Sequence, residues 1–558
     1  MTTALTFRDC IELRTELCNL NATLIIGSET SLPAADKRRE KCRSLNSTTV
    51  SKTSMNLQKI LFGWMLFCFT SGNLLSQQTA VIKIDLDRKI GEVDPKIYGA
   101  FLEPIRTVVY GTIYDPKSPL ADTNGFRKDF VQLVKDLKIP VVRWPGGNFV
   151  SGYNWEDGIG PKDQRPARLD LAWHEVESNQ MGTDEYAKLC SLIGAENFVC
   201  INAGLGTLDD ARHWIEYCNY EKGTHYSDLR RKYGNEQPFN VKYWALGNEI
   251  DGPWQMGQKN VEDYCKFAFE AAKDMQWVDR NAKFIACGAS NYRSNIDWIA
   301  WDNYVLEHLA GKIDYLSVHR YVREQLAGDT SFAATMSLGL EVDQKIDVIK
   351  SLIKKTTAQS GTTRPIYISF DEWSAGGGGG GGATLTGSLM VAEHLNSFIR
   401  HADIVKMANI TMLSSLVGTS PEGDFKNALY QPFYLYSNNA HGTALDVFVN
   451  CEKYSNKIFN DIPYLDVTAV MNDSSHTLIL NVVNRSETNA IASDVLMQSG
   501  EFNGSASVNE VNGPTVTSTN TRNNETVGIA TKQIQVQGNK INYSFPAHSL
   551  TQLLIPVR

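Results

Sequence analysis

Eight short runs rich in β-branched and aromatic residues recur along the middle of this 558-residue chain, at 98–103, 141–147, 198–204, 243–249, 284–290, 313–321, 365–373 and 405–413. Between most of them lie stretches of helical periodicity, among them FRKDFVQLVKDLK, EDYCKFAFEAAKDMQ, LEVDQKIDVIKSLIKK and TGSLMVAEHLNSFIRHA. A strand that is apolar along its whole length has two faces to cover, and the alternating helices supply that cover. Eight such repeats predict an α/β fold, a closed (β/α)8 TIM barrel over residues 95–440. Barrels of this kind keep their chemistry at the carboxyl ends of the strands.

From residue 441 to 558 the helical rhythm stops. Short alternating segments take over (YLDVTAVM, HTLILNVVN, KQIQVQ, SLTQLLIPV), separated by turns rich in Asn, Ser and Gly. They predict a second domain, an antiparallel β-sandwich or jelly roll. One more alternating strand stands alone at 81–86, ahead of the barrel. Its backbone needs a partner, so segment 79–94 is expected to join the C-terminal sheet. Residues 55–78, MNLQKILFGWMLFCFTSGNLLSQQ, have the layout of a signal peptide: Lys59, an apolar stretch too short to span a bilayer, then small and polar residues. The expectation is a secreted or periplasmic protein with no membrane association after signal removal. Because a signal should begin a chain, Met55 is read as the start and 1–54 as an upstream extension outside the fold.

The net charge of −8 is modest, and lysines and arginines are scattered. No electrostatic footprint for nucleic acid is present, and a neutral polymer suits the surface better than a polyanion. Of ten cysteines, Cys10, Cys18, Cys42 and Cys68 precede the expected mature start, and the rest have neither CxxC nor Cys/His ligand spacing. Neither a disulfide framework nor a zinc site is expected, and no cofactor is. The seven glycines at 376–382 follow Glu372, and their composition predicts a flexible stretch on the catalytic rim. A lid, an artificial replacement of one and an irrelevant loop are three readings of it.

Two carboxylates end apolar runs, Glu249 in YWALGNEIDG and Glu372 in PIYISFDEWSA. Apolar walls and a neighbouring like charge push two such groups into different protonation states, so that one donates a proton while the other attacks. Cleavage of a glycosidic bond needs that division. The other strand ends add Glu103, Arg143, the turn Pro145-Gly146-Gly147-Asn148, Asn248, His319 and Tyr321. Singly, Arg143 is explained as a partner for a buried carboxylate, His319 as a core histidine and Glu103 as a rim charge. Their convergence on one mouth favours function, because unpaired buried charges cost several kcal/mol.

The stretches YGAFLEPI, VVRWPGGNFVSGYNW, ARLDLAWHEVESNQMGTDEY, YWALGNEIDGPWQMG, LSVHRY and YISFDEW, in this order over residues 95–440, resemble glycoside hydrolase family 51, the retaining α-L-arabinofuranosidases. The resemblance implies Glu249 as general acid/base and Glu372 as nucleophile, with their carboxyl groups about 5–5.5 Å apart. It implies Asn248 on the sugar 2-hydroxyl, Glu103 and Asn148 on other hydroxyls, Arg143, His319 and Tyr321 around Glu372, and Trp173 as an apolar face of the pocket. It further implies an arabinose-containing polysaccharide or oligosaccharide as substrate, a hexamer, and no metal. Two departures touch the pocket wall: the glycine run follows Glu372, and Met412 stands where the family commonly has glutamine at the end of strand eight. Two alternatives stay open, an endo-acting β-glucanase or xylanase of the same fold and a carbohydrate-binding protein that has lost catalysis.

Overall fold

The computed structural model describes residues 79–290, 297–321, 329, 331–374 and 383–558. The extension 1–54, the signal segment 55–78 and the glycine run 376–382 lie outside the described residues. Each apolar run contributes one barrel strand: Gly99–Phe101, Val141–Trp144, Glu196–Cys200, Tyr243–Ala245, Lys283–Cys287, Tyr315–Tyr321, Tyr367–Ser374 and Val405–Thr411. They pair in parallel in that order, and the eighth pairs with the first, so the sheet has no edge. Several ladders are shorter than their apolar runs. The polar end of the run leaves the ladder to build the rim, so Glu103, Asn148, Asn248 and Glu249 all stand beyond the last residue of their strands.

The seventh strand carries an irregularity that shapes the mouth. Ser369 pairs with Ser317 and Glu372 with His319, so three steps on the seventh strand match two on the sixth. The same excess of one residue appears against the eighth strand, where Phe370 pairs with Ala408 and Trp373 with Ile410. This is a β-bulge, which re-aims side chains locally. Phe370 and Trp373 both pack outward on Phe398, with ring centroids 5.1 and 5.5 Å from it. The two residues between them, Asp371 and Glu372, therefore both face the barrel interior.

The C-terminal sheet has nine strands in the order Gly528–Gly538, Phe502–Asn512, Ser549–Pro556, Thr477–Asn484, Leu465–Asn472, Thr443–Asn450, Ala80–Glu92, Ile491–Met497 and Lys540–Phe545. Its two outermost strands are consecutive in the chain and separated by Asn539 alone. The sheet must therefore curl until its edges meet, and it encloses a core that includes Ile82, Ile84, Leu480, Phe502, Phe545 and Leu553. The strand that precedes the barrel, Ala80–Glu92, lies antiparallel to Thr443–Asn450 and parallel to Ile491–Met497. The sheet is antiparallel apart from this one parallel pair. A strand that shares no hairpin with either neighbour is not tied to antiparallel pairing.

Barrel and sheet lie within one compact unit. The helix after the seventh strand, Leu385–Arg400, begins with the Thr384 hydroxyl accepting the Gly387 amide at 3.2 Å, which satisfies one of its free donors. It is buried on nearly every side because the sheet covers the face the barrel leaves open. Its polar residues are accordingly paired. Glu393 accepts from Arg485 Nε at 2.5 Å, Asn396 Nδ2 donates to Asp466 at 2.9 Å, and Asn396 Oδ1 accepts from Tyr436 and Thr468, both at 2.7 Å. Glu393 and Arg485 are each 1% exposed. Breaking such a pair from one side strands a buried charge, a loss of about 3–5 kcal/mol, whereas removing both partners is far milder. Arg485→Leu should lower the thermal midpoint markedly, and adding Glu393→Leu should restore most of it; scanning calorimetry of the three proteins checks the ordering.

Candidate active site

The rim is built where the backbone departs from sheet geometry. Beyond the second strand, Gly146 and Gly147 run close against Glu103, and a Cβ on Gly147 would stand 2.1 Å from Glu103 Oε2. Only glycine permits that approach. Beyond the fourth strand, Gly247 and Glu249 have φ of 113° and 44°. For a glutamate the left-handed conformation costs about 1–3 kcal/mol, the kind of strain held where function requires it. The loop is braced by Gln255, whose Nε2 donates to Asn248 O at 2.8 Å, and by Asp251, which accepts from the Ser290 amide and hydroxyl at 2.9 and 2.7 Å.

Arg143 organises the centre. Its Nη1 donates to Glu372 Oε1 at 2.7 Å, its Nη2 to Asn248 Oδ1 at 2.6 Å, and its Nε lies 3.5 Å from Asp371 Oδ2. The guanidinium stacks over Phe101, 4.7 Å from the ring centre. Tyr321 donates to the other oxygen of Glu372 at 2.6 Å. His319 Nδ1 is 3.0 Å from Glu249 Oε1 and 3.6 Å from Glu372 Oε2, and its Nε2 is 3.5 Å from Asp371 Oδ1. Trp254 Nε1 donates to the second oxygen of Glu249 at 2.8 Å. Glu103 Oε1 accepts from both the Phe149 amide (2.8 Å) and the Trp173 indole (2.9 Å).

Glu249 and Glu372 each place a carboxylate oxygen within 4.8 Å of the other and of a His319 nitrogen. These three groups are the only set among the described residues with the spacing of a cation site. Arg143 and His319 already bring positive charge to that space, so the cluster reads as a carboxylate pair and not as a metal centre.

Burial would make His319 a weaker base, but Glu372, Asp371 and Glu249 outweigh it and push its pKa up to about 10. Burial alone would raise Asp371; Arg143 and His319 hold it below the usual carboxylate range. Glu103 goes the other way, pushed up to about 8 by burial and by the charge of Glu372. At neutral pH the site therefore carries an imidazolium, a guanidinium and a neutral Glu103.

The residues singled out from the sequence meet at this mouth. Glu103, Arg143, Asn248, Glu249, His319, Tyr321, Glu372 and Trp173 are joined by the contacts above. Asn148 sits between Gly147 and Phe149, both against Glu103, with its buried Oδ1 unpartnered. His319 lies beside Glu372, 3.6 Å from Oε2, and in addition hydrogen-bonds Glu249. Sequence reasoning missed Asp371, Trp254 and Gln255. A period of two places neighbours on opposite faces, so Asp371 was hidden by its own bulge. Trp254, five residues past Glu249 in an irregular loop, gives no periodic signal. Met412 is half-buried directly after the eighth strand.

The family model described as Alpha-L-arabinofuranosidase 1 domain matches residues 133–335, and the one described as Alpha-L-arabinofuranosidase C-terminal domain matches 371–549. The second begins at Asp371, so it takes in the second half of the seventh barrel strand and all of the eighth, as well as most of the sheet. Alpha-L-arabinofuranosidase C of Emericella nidulans is 37% identical over 514 residues, 87% of this chain and 99% of its own length. Intracellular exo-alpha-(1->5)-L-arabinofuranosidase 1 of Bacillus subtilis is 36% identical over 425 residues, 72% of this chain and 84% of its own. The crystal structure of an alpha-L-arabinofuranosidase from Thermotoga maritima in complex with arabinose aligns with a TM-score of 0.78 at 34% identity, covering 85% of this chain and 99% of that one. With the paired carboxylates at the mouth of the barrel and these likenesses along nearly all of the fold, the chain belongs to the α-L-arabinofuranosidases of glycoside hydrolase family 51.

Proposed function

We propose that the enzyme releases terminal α-L-arabinofuranose from arabinan, arabinoxylan or their oligosaccharides with net retention, by two displacements at one carbon. The observation that carries this reading is the approach of the Glu249 and Glu372 oxygens to within 4.8 Å. Retaining glycosidases hold their carboxyl groups about 5–5.5 Å apart, whereas inverting ones need about 6.5–9.5 Å to admit a water. Glu372, held by Arg143 and Tyr321, attacks the anomeric carbon while Glu249 protonates the departing glycosidic oxygen. Glu249 then takes a proton from water, the water oxygen attacks the same carbon, and the bond to Glu372 breaks. Asn248 Nδ2 is buried without a partner, the donor that a sugar hydroxyl would engage. The name of the Bacillus relative supports an exo-acting, α-1,5-linked substrate for this chain as well. We also propose that residues 55–78 direct export; sequencing the amino terminus of the exported product tests it, and retention in the cytoplasm would overturn it.

Glu372→Ala should abolish turnover on every arabinofuranoside. Glu249→Ala should lose about 10²–10⁴-fold on polymer but far less on an aryl arabinofuranoside whose leaving group needs no proton. NMR of the first product should show the anomer of the substrate, and inversion or full activity of the first variant would end the mechanism.

Glu103 adds a pH dependence. With both N–H donors on Oε1, its proton sits on Oε2 and can be donated to a sugar hydroxyl. As pH rises through about 8 that proton is lost and a second negative charge appears beside Glu372. The alkaline limb of kcat/KM should contain this component, and Glu103→Gln, which stays neutral, should remove it.

A further inference from the structure

The bulge in the seventh strand turns a third carboxylate, Asp371, into the site, where its oxygens face Arg143, His319 and Ser317. It is fully buried, and its neighbours are Arg143 Nε at 3.5 Å, His319 Nε2 at 3.5 Å and the Ser317 hydroxyl, which donates to it. Burying a carboxylate in a barrel core is costly, and Arg143 is already engaged by Glu372 and Asn248. What Asp371 alone supplies is an anion behind His319, on the side of the ring away from Glu249.

We propose that Asp371 is a positioning residue that acts through His319: it fixes the ring with Nδ1–H aimed at the gap between Glu249 and Glu372, so that one donor serves whichever carboxylate is charged at each stage. The proposal rests on the two-displacement reading. Before attack the negative charge is on Glu372, 3.6 Å from Nδ1; once the sugar is bonded to Glu372, the charge has moved to Glu249, 3.0 Å from Nδ1. The ring need not move to follow it, provided that Nε2 keeps its own anion. Without that anion the ring gives up its Nε2 proton more readily, and a neutral ring, although it keeps Nδ1–H toward the carboxylates, no longer brings them a positive charge.

The charged and titratable groups around His319 are Glu249 from beyond the fourth strand, Asp371 and Glu372 from the seventh, Arg143 from the second and Tyr321 from its own strand. Cys200 and Cys287 lie nearby, and burial pushes both thiols up, so they stay neutral. In Asp371→Asn the burial of the ring is opposed by fewer charges. His319 should then lose its proton at a lower pH than in the parent enzyme.

The experiment measures kcat on an aryl arabinofuranoside from about pH 5 to about pH 8 for the parent, Asp371→Asn, His319→Gln and the double variant, with circular dichroism as the check on folding. Asp371→Asn should keep most of its activity at the acid end and fall by about tenfold or more, relative to the parent, at the alkaline end. A purely structural role would lower both ends alike. In the His319→Gln background the same substitution should add less than about threefold, since a residue acting through His319 has nothing left to act on. A uniform loss across pH, or an undiminished effect in the absence of His319, overturns the proposal. If Asp371→Asn fails to fold, the parent and His319→Gln still decide it: a His319→Gln enzyme with the parent's kcat throughout this range also overturns it. An active Glu372→Ala enzyme would instead remove the mechanism beneath the proposal, which separates the two failures.

Discussion

The guanidinium of Arg143 is the constraint on which the mouth of this barrel depends. It is fully buried, and so are Asp371 and Glu372, the two carboxylates it faces. Two anions side by side in a low-dielectric wall repel each other, and each pays a desolvation penalty of several kcal/mol. A guanidinium between them, with its planar fork, offsets both at once, which an ammonium could not do with the same geometry. Burial alone would make Arg143 easier to deprotonate, yet Asp371 and Glu372 push its pKa further up. The ion cluster is therefore a fixed charge pattern. Through its second Nη it also sets Asn248, and so the entry of the chain into the loop that carries Glu249.

Local irregularity is what brings these charges together. Regular parallel strands present alternate residues to the interior, which would give the seventh strand one inward carboxylate and not two. The bulge supplies the second, and the outward packing of Phe370 and Trp373 on Phe398 holds it in place. Beyond the fourth strand, Gly247 and the positive φ of Glu249 make the matching deviation on the other side of the pocket.

Most of the fold was written in the chain in a form that periodicity can read. Every barrel strand overlaps its apolar run, five lying wholly inside and three overrunning an end by one or two residues, because a strand covered on both faces is apolar along most of its length. Glu249 and Glu372 stood out for the opposite reason, as acids ending such runs. Asp371 was invisible in the same string SFDEW, since a bulge leaves no mark on composition. Trp254 and Gln255 were equally hidden. Their roles depend on how an irregular loop folds back over Glu249, which no repeat encodes. The one parallel pair of the C-terminal sheet eluded the pattern too, because alternation shows that Ala80–Glu92 is a strand and says nothing of its direction.

The two glutamates are held in different ways, and under the proposed mechanism the difference suits their tasks. Glu372 lies within a strand, receives donors on both oxygens from Arg143 and Tyr321, and has a side chain 5% exposed. A nucleophile that must meet one carbon along one line gains from such fixation, because misplacement by an ångström is costly. Glu249 sits beyond its strand with a side chain 12% exposed, and one of its partners, Trp254, is itself 44% exposed. An acid that becomes a base must be reachable by a departing alcohol and then by water. A pocket sealed as tightly around Glu249 as around Glu372 would trap the first and exclude the second. In that reading, the asymmetry of burial across less than 5 Å sets the more enclosed Glu372 on the side of the sugar and the more accessible Glu249 on the side of its leaving group.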